Sequence, residues 1–213
     1  MAQQEKKPKP PPKDPENPSP QYGRTYPRET PTTQDIRALL AQTAGRSVTQ
    51  RRNHALLTFL WQTGARINEA LEVRPADLNF DTKQVYLRVT KNNKPRHAAV
   101  GPEALESCRR WLEARATLDL PPDAPLFPTL RGKKLHDQYV RQMMQRLASQ
   151  AEWSIRPHPH ALRHAHAAML AKTMPAAKIQ KQLGHASLQT TTLYLDSIGV
   201  DDVVRDMEQV SWD

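Results

Sequence analysis

Proline is concentrated at the start of the chain, and this distribution restricts most strongly which part of it can fold. Residues 1–30 contain eight of the 19 prolines, and seven of these lie between Pro8 and Pro20. Proline fixes φ and removes a backbone donor, and the segment has few apolar groups to offset the entropy lost on ordering. We therefore expect a disordered tail over residues 1–30 and a folded body after it.

The folded body is basic. The 213 residues include 31 Lys or Arg and 22 Asp or Glu, a net charge of +9, and the tail contributes only six basic and four acidic residues. The remaining charge of +7 indicates an anionic partner, and nucleic acid is the partner that we expect. The longest uncharged, mostly apolar stretch, Ala55–Ala65, has 11 residues, whereas a membrane span needs about 20. The N-terminus also lacks the apolar core of a signal peptide, so we expect a cytoplasmic protein without a membrane partner.

Glycine and cysteine exclude further classes. The seven glycines are at least 15 residues apart, whereas P-loops and dinucleotide-binding turns need glycines a few residues apart. The single cysteine, Cys108, cannot form an internal disulfide or a Cys-based zinc site. It lies on the apolar side of a predicted helix, which indicates a packed thiol and not a nucleophile.

Hydrophobic periodicity predicts a mainly α fold with a small antiparallel β-sheet or hairpin. Alternation of Val85, Leu87 and Val89 predicts a strand, followed by a turn at Lys91–Lys94 and a returning strand at Arg96–Val100. Helical spacing, caps and prolines predict the other elements. The predicted helices are one capped by Thr33, one from about Thr49 to Gly64, one through Ile67 and Leu71, one from Pro102, Asp137–Ser149, Ala161–Lys172, Pro175–Leu183, Leu188–Leu195, and a short one within Val200–Val210.

Reactive side chains cluster in patches that lie at helix starts or helix breaks. The patches are Thr63–Glu69, His160–His164 and Leu183–Ser187, with Tyr194 nine residues after His185. Arginines and histidines that converge on one point suit a phosphoryl group, because a guanidinium pairs with two oxygens at once. A phosphodiester further requires a nucleophile and a proton donor for the leaving oxygen. Tyr194 is a candidate for the first role, and Lys91 is a candidate for the second.

Four segments, in this order along the chain, resemble the catalytic domain of the tyrosine recombinase (phage integrase) family. They are Thr63–Glu69 (TGARINE), Thr90–Arg96 (TKNNKPR), His160–His164 (HALRH) and Leu183–Tyr194 (LGHASLQTTTLY). The resemblance covers about residues 31–198 and implies the catalytic-domain fold of that family. It also implies a site-specific DNA recombinase that acts through a 3′-phosphotyrosyl intermediate and a Holliday junction.

By this resemblance, Arg66 and Arg163 would hold the non-bridging oxygens of the scissile phosphate, and His185 would donate a further hydrogen bond. Glu69 would brace Arg66. The histidines at 160 and 164 are also spaced for a metal, but no third ligand is evident nearby and Arg163 would repel a cation.

The resemblance likewise implies the groups that transfer protons and form the covalent bond. Tyr194 would attack the phosphorus, His160 would help to accept its proton, and Lys91 would protonate the departing 5′-oxygen. Lys94 lies in the same turn and is the alternative to Lys91. The covalent bond stores the energy of the cleaved linkage, so the resemblance implies neither metal nor ATP and no cofactor.

The resemblance also suggests partners. Most family members carry an N-terminal core-binding domain of about 100 residues, and we expect a minimal form in which residues 1–30 stand in its place. We expect the chain to bind double-stranded DNA, to form a homotetramer on two DNA sites, and to work with an accessory protein. Residues 199–213 would dock on a neighbouring subunit or pack on their own body. A DNA-binding regulator without catalysis and a type IB topoisomerase-like relaxing enzyme are the alternative functions.

Overall fold

The computed structural model describes residues 30–88, 95–153 and 155–184. Most of the predicted tail, the tip of the predicted hairpin, and the two helices predicted after Ser187 therefore lie outside the described residues. The described part comprises seven α-helices and three short strands. This arrangement confirms the prediction of a mainly α fold with a small antiparallel sheet. The helices are α1 (Thr33–Ala41), α2 (Val48–Thr63), α3 (Ile67–Glu72), α4 (Pro102–Arg115), α5 (Asp137–Gln150), α6 (Pro159–Ala171) and α7 (Ala176–Leu183).

Helix α2 is the centre of the fold. Ten of its 16 residues are buried, so the helix contacts neighbours on nearly every side and not along the single face that its spacing predicts. It packs chiefly on α4 and α6. Ser47 and Gln50 form a reciprocal capping box at its start, which satisfies backbone donors that a helix otherwise leaves without partners. The helix ends at Gly64, as predicted, with φ of 64°.

The sheet has three antiparallel strands in the order β1 (Leu78–Asn79), β2 (Gln84–Leu87) and β3 (Arg96–Ala99). Val85 pairs with Ala98 across β2 and β3, so the predicted hairpin is confirmed over its stem. The sequence did not predict β1, because two residues are too few to show alternation. A short 3-10 turn, Pro75–Asp77, leads into β1.

Three helix starts differ from the predictions. The cap of α1 is Thr32, whose hydroxyl accepts from the Asp35 amide, and not Thr33. Helix α6 begins two residues before the predicted Ala161, because Pro159 is compatible with a first helical turn. Pro175 is the residue before α7 and not part of its first turn.

Cys108 lies in the core with no exposed surface, and burial raises the pKa of its thiol to about 12. This confirms the predicted packed thiol. Within the described ranges, no helix is long and apolar enough to cross a membrane. The same ranges contain no cluster of three or more His, Cys, Asp or Glu side chains arranged to hold a metal ion.

Candidate active site

The turn after α2 presents Arg66. Gly64 takes the left-handed conformation, which costs glycine little, and reverses the chain so that Arg66 caps the start of α3. Glu69, only 2% exposed, holds this arginine at two points. One carboxylate oxygen lies 2.8 Å from Arg66 Nη1 and the other accepts from the Arg66 amide at 2.9 Å. These contacts confirm the predicted brace, and Arg66, with 28% of its side chain exposed, retains donors for an anion.

Arg163 joins two segments that are far apart in the sequence. Its guanidinium is 1% exposed and donates from Nη1 to the Gly64 carbonyl at 2.6 Å and from Nη2 to the Leu183 carbonyl at 2.8 Å. The first carbonyl precedes Arg66 by two residues, and the second immediately precedes Gly184. A planar fork with fixed angles is suited to such a double contact. Arg163 therefore fixes the relative position of the two predicted patches.

His160 lies in the first turn of α6 and faces the two arginines. Its pKa is lowered to about 4, first by partial desolvation, next by the neighbouring ring of His164, and then by charges that include Arg163 and Arg66. The His164 ring packs edge-on against it with centroids 4.6 Å apart. The positive end of the α6 dipole acts in the same direction. At neutral pH His160 is therefore an uncharged imidazole that can accept a proton.

Arg96 is a further member of this network that sequence reasoning did not single out. It lies at the start of β3, and its Nη2 donates to Glu69 at 3.2 Å and to the Leu183 carbonyl at 3.1 Å. Among the described residues, two buried nitrogens of its guanidinium, Nε and Nη1, have no hydrogen-bond partner. Gly184 has φ of 65°, and a side chain there would meet Arg96 at 2.5 Å. The only sequence signal for Arg96 was its place at the end of the TKNNKPR segment.

Gln182 is the second residue that sequence reasoning missed. Its side-chain amide accepts from the Ala99 amide and donates to the Ala99 and Thr63 carbonyls, each at 2.9 Å. It thereby ties the end of α7 to strand β3 and to the end of α2. No local pattern marks a glutamine for such a role, because its partners are 83 and 119 residues away.

His166 lies beneath the Arg66 turn, one helical turn after Arg163 on α6. Its ring is 8% exposed, and a side chain at Gly64 would meet it at 2.6 Å. Burial, reinforced by the charge of Arg163 and opposed by a hydrogen bond with the Trp61 backbone, lowers its pKa to about 4. His166 is thus a neutral packing group and not a surface histidine.

The structure therefore brings together three of the six predicted site residues, namely Arg66, His160 and Arg163. The other three, Lys91, His185 and Tyr194, lie outside the described residues. Leu183 and Gly184, which directly precede His185, are held in this cluster by Arg163 and Arg96.

The fold and this cluster define a class of protein. Residues 30–198 match the phage integrase family, and the chain belongs to that family. Among curated relatives it is 29% identical over 182 residues to tyrosine recombinase XerC of Shewanella sp. (strain W3-18-1), with 83% of this chain and 60% of the relative covered. It is 39% identical over 155 residues to tyrosine recombinase XerC of Rhizobium meliloti, with 70% of this chain and 46% of the relative covered. The chain thus spans about 60% or less of the length of these relatives.

Solved structures share the fold. The crystal structure of XerA recombinase superposes with a TM-score of 0.73 at 22% identity, covering 89% of this chain and 65% of that one. The Tn1549 transposon integrase in complex with a circular intermediate DNA superposes with a TM-score of 0.72 at 21% identity, covering 87% and 67%. XerH site-specific recombinase bound to palindromic difH substrate superposes with a TM-score of 0.67 at 24% identity, covering 78% and 49%.

Proposed function

We propose that this chain is a site-specific DNA recombinase that cuts and rejoins DNA through a 3′-phosphotyrosyl intermediate. The observation that carries the proposal is the convergence of Arg66 with His160 and Arg163, which come from two segments almost 100 residues apart in the chain and interact electrostatically. Membership of the phage integrase family, over the span that also contains the other three predicted site residues, supports it.

In this proposal Arg66 binds a non-bridging oxygen of the scissile phosphate, and Glu69 keeps its guanidinium in place. Arg163 contributes positive charge from just beneath the site and holds the segments that carry Arg66 and His185 at a fixed distance. His185 donates a hydrogen bond to the same phosphate. Preorganised cations stabilise the charge that develops in the transition state, and they need no rearrangement during the reaction.

Tyr194 attacks the phosphorus, and a bond forms between its oxygen and the 3′-phosphate while the bond to the 5′-oxygen breaks. Neutral His160 accepts the phenol proton, and Lys91, or Lys94 in its place, gives a proton to the departing 5′-oxygen. A free tyrosine titrates near 10, so its proton must be taken up as the bond to phosphorus forms. We propose that His160, whose lowered pKa leaves it uncharged at neutral pH, takes up that proton.

The phosphotyrosyl bond conserves the energy of the broken linkage, so we propose that neither a metal ion nor ATP takes part. Two rounds of exchange pass through a Holliday junction. We propose that a homotetramer performs them on two double-stranded sites, that residues 199–213 dock on a neighbouring subunit, and that an accessory protein assists. Several of the superposing structures are DNA complexes by description, among them XerH and the Tn1549 integrase, which is in line with a DNA substrate.

A covalent-adduct assay tests the proposal. Wild type and Tyr194→Phe are incubated with nicked duplex fragments tiled across the flanks of the gene, in EDTA and without nucleotide, and resolved on denaturing gels. Tyr86→Phe serves as a matched control, because it removes a phenol hydroxyl from strand β2 at a position outside the six predicted site residues. We expect an adduct with wild type and with Tyr86→Phe, none with Tyr194→Phe, and a trapped peptide that contains Tyr194.

Two other results would change the conclusion. If wild type binds the fragments but no fragment yields an adduct, the regulator without catalysis is the better description. If the monomer relaxes any supercoiled plasmid without a preferred site, the topoisomerase-like activity is the better one.

A further inference from the structure

A buried arginine near the start of α2, whose other end leads into the candidate site, has no acidic partner among the described residues. Arg52 is 4% exposed, and within the described residues its guanidinium contacts only neutral groups. It donates to Asn53 Oδ1 at 2.9 and 3.1 Å, to the Pro128 carbonyl at 3.0 Å and to the Tyr139 hydroxyl at 2.8 Å. Burying a cation without a counter-charge costs free energy. A negatively charged ligand near this position would therefore be favourable.

Tyr139 contacts Arg52 and reaches the protein surface. Its side chain is 36% exposed, and its oxygen already accepts from Arg52 and, at 3.5 Å, from the Asn53 amide. A phenol oxygen offers two lone pairs and one proton. Because two incoming donors occupy both lone pairs, the hydroxyl can make a further hydrogen bond only as a donor. Within the described residues no acceptor receives that proton, which therefore points away from Arg52. The adjacent guanidinium polarises the O–H bond and strengthens it as a donor.

A hairpin with two exposed cations is attached to the same buried arginine as Tyr139. The Pro128 carbonyl that binds Arg52 begins a tight hairpin closed by the Pro128–Lys134 pairing, and its tip exposes Arg131 and Lys133. We refer to Tyr139, Arg131 and Lys133 as the Tyr139 patch. Exposed cations and a neutral donor that are held by one buried arginine are groups that suit the oxygens of a phosphate.

The Tyr139 patch is linked to the candidate active site. Lys134, at the end of the hairpin, forms an ion pair with Glu72 at the last turn of α3, the helix that Arg66 begins. Six helical residues span about 9 Å, so this ion pair lies about that far along the helix from Arg66. The hairpin that carries Arg131 and Lys133 is therefore attached to the helix that Arg66 begins.

We propose that the Tyr139 patch binds the DNA backbone, with the Tyr139 hydroxyl donating to a phosphate oxygen and buried Arg52 supplying the charge behind it. This inference rests on the proposed function, because it takes the DNA of that reaction as the ligand. It assigns a contact outside the six predicted site residues. A phosphate contact fixes register and adds affinity without reading sequence.

The test compares wild type with Tyr139→Phe, which keeps the ring and removes only the hydroxyl. Fluorescence anisotropy measures the Kd of the full chain for a labelled duplex of arbitrary sequence at several salt concentrations. We expect the variant to bind about tenfold more weakly, as for the loss of one hydrogen bond to a charged group. The dependence of log K on log salt should keep its slope, because the hydroxyl carries no charge, whereas Arg131→Gln should make the slope shallower.

Tyr86→Phe is the matched control. Its ring lies on the sheet against His97, with centroids 5.0 Å apart, and its removal of a hydroxyl should leave the Kd unchanged. A second measurement requires no variant: nitration of Tyr139, followed by mass spectrometry, should be slowed by DNA, and nitration of Tyr86 should not.

Three results would overturn the inference. The first is equal DNA affinity of Tyr139→Phe and wild type, and the second is nitration of Tyr139 that DNA does not slow. The third is a change in self-association without DNA, seen by sedimentation while the Kd is unaltered, since this would assign the patch to a protein partner. If wild type binds no duplex at all, the proposed function itself fails, and this outcome is distinct from the others.

Discussion

The buried His166 should make the stability of the protein depend on pH. Its pKa is about 4 in the folded chain and 6.5 without the surrounding protein, so below pH 6.5 the unfolded chain binds a proton that the folded chain does not. Stability from this group is fully present above pH 6.5 and is lost as the pH falls toward 4. By proton linkage, the free energy of unfolding is lower than at high pH by roughly 0.2 kcal/mol at pH 7 and by about 2 kcal/mol at pH 5.

Urea unfolding followed by tryptophan fluorescence, at pH 7 and pH 5, measures this loss. The comparison is between wild type and His166→Asn, which keeps a donor near the Trp61 carbonyl but does not titrate. We expect the free energy of unfolding to fall by about 2 kcal/mol more in wild type than in the variant. His160 contributes equally to the pH dependence of the free energy of unfolding in both proteins, so its contribution cancels in the comparison. That contribution is also reduced by solvent screening, because the ring is exposed.

His136→Asn, at a side chain that is 78% exposed, is the matched control and should retain the wild-type pH dependence. If wild type and His166→Asn lose the same free energy between pH 7 and pH 5, the burial of His166 does not hold it neutral and the reasoning is refuted.

Three further predictions concern Glu69, Gln182 and Cys108. Glu69→Gln removes the negative charge that Arg66 and Arg96 share, and it should lower the free energy of unfolding, measured by urea titration, by about 3 kcal/mol. A loss below about 1 kcal/mol would contradict a shared buried carboxylate. Gln182→Met keeps the side-chain volume but removes three hydrogen bonds, so it should lower the free energy of unfolding by about 2 kcal/mol and accelerate hydrogen exchange of the Ala99 amide. Unchanged exchange at Ala99 would show that the glutamine does not hold strand β3. Cys108 should resist Ellman's reagent in the native chain and react once urea unfolds it, and rapid reaction of the native thiol would contradict its burial.

Local signals in the sequence were sufficient for the elements that local chemistry determines. Gly64 ends α2 because a left-handed residue closes the helix, and Glu69 lies one turn after Arg66, so the brace followed from spacing. The N-terminal cap of α1 was placed one residue late, since Thr32 and Thr33 are chemically equivalent and only the geometry of Asp35 distinguishes them.

The missed residues depend on tertiary contacts. Arg96 and Gln182 receive their roles from partners up to 87 and 119 residues away, and no periodicity encodes such pairs. Strand β1 forms only because β2 provides partners for its two residues. Arg163 was predicted as a phosphate ligand, and its two backbone contacts became visible only with the fold.

The contacts of Arg163 also bear on how the site opens. One guanidinium donates to both the Gly64 turn and the Leu183 turn, so movement of Arg163 out of its place removes a hydrogen bond from each turn at once. The two segments should then behave as one cooperative unit in native-state hydrogen exchange, with equal opening free energies at their amides. A lysine at position 163 can reach only one carbonyl at a time, and it should separate them into two units that exchange at different rates.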